Sequence, residues 1–369
     1  MQRVYLEKIK PGMVLAKTLY SPTGQVLLSE GVKLNDKYIQ RLKEIEVLYI
    51  FIKTNFTNDT NLPDVVSDIT RVDTQTLVKT CFKIMVKGQQ INVFDISKQV
   101  GAIIDELLSN PTVVFELTHI NMHSENTFSH SVNVCILSLL TGLAMGFNQN
   151  QLRDLGIGAL MHDIGKTLIK EELLSKKKLN AEEKTEIEKH PNLGFDILRQ
   201  YQELNLLASH IAFQHHENFD GTGYPRKLKG HGITEYARIV AYADLYDNLI
   251  TDYKEIKGLK PWEALKKIKA KVGTQLDPEI VDAFFKNIIQ YPAGCIVELK
   301  SGEMGIILRN NKDDYERPVV RIIVDKNKAP LTEPIDINLA KIKGYAVKKI
   351  YNDDDPNVPA IFKWDNKNG

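Results

Sequence analysis

The chain has 369 residues, 43% of them hydrophobic and 26% charged, the balance of a globular protein able to bury a substantial core. Lys and Arg total 48 against 47 Asp and Glu, a net charge of +1, which argues against a broad electrostatic grip on a nucleic-acid polymer, since that needs a basic excess to displace counterions. Three widely separated cysteines, Cys81, Cys135 and Cys295, argue against a disulfide scaffold, and the opening MQRVYLE lacks an apolar signal core, so a reducing, cytoplasmic setting is expected.

Residues 1–53 read as a small α+β module. Met13–Leu19 and Gln25–Leu28 have strand character and are joined by Ser21-Pro22-Thr23-Gly24; Asn35 can cap a helix carrying Ile39, Leu42 and Ile45; Val47–Ile52 is a β-branched and aromatic strand. Residues 54–64 are polar and without period, a linker. From 65 to 290 the pattern is helical, broken near Asn110-Pro111, Gly146–Asn150 and Phe219–Gly232. Its most apolar window, Val132–Phe147, is interrupted by Asn133, Ser138 and Thr141, so it predicts a buried helix and no membrane span. Residues 291–350 hold short β runs, Cys295–Leu299, Gly305–Leu308 and Val319–Val324, a small sheet or barrel. Residues 351–369 read as a flexible tail.

Histidines carry the chemistry. His130 opens the Val132–Phe147 helix, His162-Asp163 follow the apolar run Leu152–Met161, His190 precedes a proline at the start of another helix, and His215-His216 end a helix before a glycine-rich turn. Asp244 lies on the predicted helix Ala237–Leu249. Imidazole and carboxylate together suit Fe, Mn, Zn or Co, a shared Asp can bridge two ions, and inward-facing side chains of several helices can converge on such a site. His119, His123, His210 and His231 lack such neighbours and read as surface or packing residues. Lys166, three residues after Asp163, is either a solvated lysine or a neutraliser of phosphate charge. Tyr224 is either a packing residue of a structural turn or an aromatic face near the metal helix. Asp247, one turn beyond Asp244, can orient a metal-bound water or ligand. The run Lys176-Lys177-Lys178 reads as a solvated loop face before a helix capped by Asn180 with Glu183.

HDIGK (162–166), His190-Pro191, His215-His216-Glu217 and Gly223-Tyr224-Pro225 stand in the order and approximate spacing of the HD-GYP domain, a subclass of the HD phosphohydrolases, and HSVNV (130–134) and RIVAYADLYDNL (238–249) resemble family segments. The resemblance covers roughly residues 120–290. It implies a mainly α, helical-bundle phosphohydrolase domain flanked by the small N-terminal α+β and C-terminal β modules. It also implies two divalent metal ions, Fe or Mn. Carried over residue by residue, His130, His162, Asp163 and Asp244 hold one ion, and Asp163 bridges to a second held by His190, His215 and His216. A third ion, which some relatives hold with a Glu, is not expected, because Asn126 stands there and Glu125 is one residue off. The implied activity is hydrolysis of cyclic di-GMP to pGpG and onward to GMP, with Asp163 and Lys166 catalytic and Lys166, Tyr224, Asp247, Lys254 and Lys257 at the substrate. The stretch NLITDYKEIKG (248–258) departs from the basic segment of many relatives, with Tyr253 and Ile256 near where Arg or Lys stand. Alternatives are another cyclic dinucleotide or nucleotide as substrate, or a catalytically weak sensor or adaptor. A homodimer or a signalling partner would meet the chain through the N-terminal module or the GYP loop.

Overall fold

In this computed structural model the residues described are 2–21, 25–45, 47, 49–53, 66–109, 126–176, 178–251, 258–259, 261–285, 291, 294–311, 314, 317–351, 355 and 357–362. Two compact units result, one helical, between Asp64 and Ile288, and one that takes in the N-terminal and C-terminal segments.

In the N-terminal segment β1 (Gln2–Tyr5) pairs antiparallel with β4 (Tyr49–Ile52), while β2 (Leu19–Tyr20) pairs with β3 (Val26–Leu28). Between them α1 (Asp36–Glu44) is capped by Asn35, whose side chain accepts from the Tyr38 amide at 2.9 Å. Leu6, Met13, Leu15, Leu34, Ile39, Leu42, Ile50 and Ile52 form its core. The expected strand Met13–Leu19 shrinks to Leu19 and isolated bridges. Leu15 donates to Val32 O whereas Ala16 donates to Phe51 O, so successive amides serve two different partners and no ladder propagates.

The helical unit runs α2 (Asp68–Met85), α3 (Val93–Ser109), α4 (Asn126–Ala144), α5 (Gln149–Met161), α6 (Glu171–Ser175), α7 (Ala181–Ile187), α8 (His190–Leu198), α9 (Leu206–Gln214), α10 (Glu235–Ile250), α11 (Pro261–Lys269) and α12 (Pro278–Phe285). Capping boxes start α5 (Asn148 with Gln151) and α7 (Asn180 with Glu183), as the sequence predicts for α7. Lys176 closes an ion pair with Glu183. Helix α4 begins earlier than the apolar window suggests and is buried from residue 131 to 142. It packs against α2, α5, α10 and α12, which is why its polar His130 and Asn133 end up inside. No helix among the described residues is long and apolar enough to cross a membrane.

The C-terminal sheet has the order β8-β7-β6-β5-β9, all antiparallel: β5 (Ile296–Leu299), β6 (Met304–Arg309), β7 (Val319–Val324), β8 (Pro330–Asn338) and β9 (Val347–Tyr351). The sequence pattern shows the three inner strands and misses both edges, because β8 carries prolines and acids on an exposed edge and β9 carries lysines. The tail is also a correction: it was expected to fray from residue 351, but Val358 and Phe362 are buried with Ile296, Ile306 and Tyr351. Apolar side chains this far along have a sheet face to cover.

One close approach sets the frame of the helical unit. After α5 the chain makes a 3-10 turn, Ile164–Leu168, packed on the start of α8. A Cβ at Gly165 would fall on the carbonyl oxygen of His190 and the amide nitrogen of Gly194, both backbone. Gly165→Ala is therefore expected to cost about 1–3 kcal/mol and to push His190 away from Asp163. Urea unfolding with metal analysis checks this; a variant of unchanged stability and metal content would contradict the packing.

Candidate metal centre

Three of the histidines lie at or just beyond helix C-termini, where the last carbonyls have no partner within the helix. His162 caps α5 and its Nδ1 donates to Ala159 O at 2.7 Å. His190 follows α7 and its Nδ1 donates to Ile187 O at 2.8 Å. His215 caps α9 and its Nδ1 donates to Ala212 O at 2.9 Å. A carbonyl only accepts, so each Nδ1 carries the proton and each Nε2 keeps its lone pair. His130, on α4, is oriented in the same way by donating its Nδ1–H to Asp247 Oδ2 at 2.7 Å.

The Nε2 atoms converge on Asp163, which is 1% exposed. Asp163 Oδ1 faces His190 at 3.4 Å and His215 at 3.6 Å, while Oδ2 faces His162 at 3.5 Å and His130 at 3.9 Å. Asp244 on α10 adds Oδ1 at 3.0 Å from His130 and 3.8 Å from His162, and Asn248 holds that oxygen at 2.8 Å. Two sets of potential ligands result, one of His130, His162 and Asp163 and one of Asp163, His190, His215 and His216, with Asp163 common to both and the ligand atoms of each set within 4.8 Å of one another. His162 Nε2 and Asp163 Oδ1 are buried without a hydrogen-bond partner, while His130 Nε2 faces Asp244 Oδ1 at 3.0 Å. Unpaired lone pairs aimed at common points fit metal ions, which would satisfy them.

Electrostatics agree. Burial lowers His162 to about 4 and His190 to about 3, and holds His216 well below its ordinary value, so all three are neutral near pH 7. Burial opposes charge on His130 as well, but hydrogen bonds to Asp244 and Asp247 overcome it and push the ring up to about 10. Burial works against ionisation of Asp163, yet Lys166 and the surrounding imidazoles hold its carboxyl well below the usual range. Lys166 Nζ stands 2.5 Å from Asp163 Oδ2 and is partly exposed.

The remaining sequence expectations divide. Asp247, expected to orient a metal-bound group and also to stand at the substrate, is fully buried, with one oxygen on His130 and the other accepting from Asn133 Nδ2 at 2.9 Å; it orients the His130 ring, and its burial closes it off from a substrate. Asn133 was missed, although its spacing of three from His130 puts both on one helix face. Tyr224 does lie at the site, its ring stacked on His216 with centroids 4.9 Å apart. Burial pushes its phenol up, so it remains a neutral hydroxyl. Glu217 was given no role; its buried carboxylate accepts from the amides of Arg226 and Leu228 at 2.7 and 2.9 Å and so fixes the loop that presents Tyr224. Gly223 is required there, because a Cβ would meet the backbone of His216, Glu217 and Asn218. Lys254 and Lys257 lie outside the described residues, as do Glu125 and the side chain of Asn126. Beside His215, His216 and Tyr224 is a cavity of about 410 Å³.

Comparison with known proteins follows the same lines. The HD domain family matches residues 116–280, and the KOW domain associated with HD domain matches residues 296–356. A cyclic di-GMP phosphodiesterase of Pseudomonas aeruginosa is 30% identical over 250 residues, covering 67% of this chain and 60% of that protein. A cyclic di-GMP phosphodiesterase of Thermotoga maritima is 37% identical over 182 residues, 47% of this chain and 49% of that protein. The matches thus span between half and three-fifths of these relatives. An HDG"Y"P protein of Bdellovibrio bacteriovorus shares the fold, with 20% identity and a TM-score of 0.51 over 77% of this chain and 97% of its own.

The buried imidazoles set a pH dependence for the metal-free protein. His162 and His190 titrate near 6.5 when unfolded and near 4 and 3 when folded, so below pH 6.5 the unfolded chain binds protons that the folded one refuses. Stability is complete above 6.5 and falls as pH drops towards 4, by up to about 1.4 kcal/mol per pH unit for each group. His130 acts oppositely, since its contribution is full below 6.5 and is lost as pH rises through about 10. Urea midpoints of chelated protein should therefore fall from pH 6.5 to 5, and His162→Gln should reduce that slope; an unchanged slope would contradict the neutral, buried imidazoles.

Proposed function

The chain carries an HD domain over residues 116–280 followed by a KOW domain over residues 296–356, and from that membership we propose that it is a metal-dependent phosphodiesterase hydrolysing cyclic di-GMP to pGpG, and pGpG more slowly to GMP. The observation that carries the reading is the buried Asp163 carboxylate, each of whose oxygens faces a separate fan of imidazole Nε2 atoms. The names of the relatives supply the substrate.

In this reading His130, His162, Asp163 and Asp244 hold one divalent ion, Asp163, His190, His215 and His216 hold the other, and the nitrogen and oxygen donor set suits Fe or Mn. Bound there, a pair of ions supplies Lewis acidity that activates a water for in-line attack and stabilises charge growing on the phosphate oxygens. The chain's own part is positional. Asp163 fixes the separation of the two ligand sets, and Asp247, itself fixed by Asn133, orients His130. Lys166 brings a cation 2.5 Å from Asp163 Oδ2 on the partly exposed side, where it can also meet a phosphate oxygen. Tyr224 offers a neutral hydroxyl and a ring face fixed by Gly223 and Glu217. The second hydrolysis is slower because a linear product lacks the second tethered phosphate that holds the ring in place.

Asp163→Ala is expected to lower cyclic di-GMP hydrolysis to the level of chelated protein and to remove both ions while the helical circular dichroism signal remains. His215→Ala and His216→Ala should each lose metal and rate with little change in helicity. Asp247→Asn should weaken metal binding about 10–100-fold. Chromatography of timed reactions alongside metal analysis decides: an Asp163→Ala protein that keeps two ions and turns over normally would remove the basis of the reading.

A further inference from the structure

The cavity of about 410 Å³ beside the metal centre has a chemical bias. Tyr224 lines it, its ring stacked on that of His216, and Leu179 and Ile187 add apolar surface. A lining that combines an aromatic ring with aliphatic side chains suits a purine ring. The polar part of the lining includes Glu188 and Lys184, which sit one turn apart at the end of α7 with Lys184 Nζ 3.7 Å from Glu188 Oε1. Glu188 is two-thirds covered, and it lines the same cavity as Tyr224.

The two common purines present opposite patterns to such a pair. Guanine offers two adjacent donors, N1–H and N2–H₂, which one carboxylate accepts together, and beside them the O6 acceptor, which an ammonium donates to. Adenine offers N6–H₂ and the bare N1 lone pair, which a carboxylate repels. We propose that Glu188, with Lys184, reads guanine in this cavity and is the residue that makes the site select cyclic dinucleotides containing at least one guanine. The proposal rests on the cyclic dinucleotide reading above and adds to it the rule of choice. One cavity reads one base, so cyclic di-GMP and the mixed guanine–adenine cyclic dinucleotide are both accepted, and cyclic di-AMP is rejected.

The test is equilibrium binding of the three cyclic dinucleotides to the full chain, chelated and metal-loaded, for the wild type and Glu188→Gln, with metal content measured for each. Glutamine keeps the shape but loses the charge and one of the two acceptors. The wild type should bind both guanine-containing compounds at least about tenfold more tightly than cyclic di-AMP, and Glu188→Gln should shrink that ratio about tenfold at unchanged metal content. Lys184→Ala should shrink it less, because that side chain is largely exposed. An unchanged ratio in Glu188→Gln, an equal loss for all three compounds, or no binding by the wild type in either metal state would overturn the proposal. Guanine-selective binding that depends on Glu188 without turnover in the metal-loaded protein would leave it standing and overturn the hydrolytic function instead.

Discussion

Asp163 is an anion with almost no solvent, and a carboxylate so placed is costly unless cations or donors surround it. Within the chain Lys166 reaches only one of its oxygens at hydrogen-bond distance, and Oδ1 is left without a partner. His162, His190 and His216 beside it are held neutral by burial and bring it no full charge. The helical unit is thus built around an unmet demand for positive charge on both sides of one side chain. Two divalent ions would meet that demand, and one partly exposed lysine alone does not.

The way in which the ligands are delivered explains the helical architecture. Three histidines stand where α5, α7 and α9 end, and each uses its Nδ1–H to satisfy a carbonyl left over by the helix. One interaction therefore terminates a helix, selects a tautomer and aims an Nε2 lone pair. The same helix ends carry partial negative charge, which adds to the attraction for a cation. His130, near the start of α4 and away from any helix C-terminus, has no free carbonyl to use, and the buried pair Asp247 and Asn133 does the equivalent work. Gly165 and Gly223 remove the Cβ atoms that would keep the backbones of these ends and turns apart.

Much of the site was legible because its signals are local. An HD pair after an apolar run, a His-Pro helix start and a His-His helix end each announce themselves within a few residues, and all seven proposed ligands come together in space. What the sequence hid depends on partners far along the chain. The spacing of Asp247 from Asp244 shows that it can orient a group at the site, but not that the group is His130 or that its second partner is Asn133 on α4, 114 residues away. The supporting carbonyls of Ala159, Ile187 and Ala212 leave no side-chain signal at all. The same limit governs the sheets: β1, β8 and β9 are edge strands whose charged, polar or proline-bearing sequences resemble loops until a neighbour pairs with them. Val358 and Phe362 read as parts of a frayed end because most of the core they cover, from Ile296 to Val324, lies on strands far earlier in the chain.

Anomalous diffraction from crystals grown with manganese tests the central claim most directly, because it locates ions independently of turnover. The account predicts two peaks, one among His130, His162 and Asp244 and one among His190, His215 and His216, with one oxygen of Asp163 bound at each. A single peak in fully loaded crystals, or two that do not share Asp163, would contradict it.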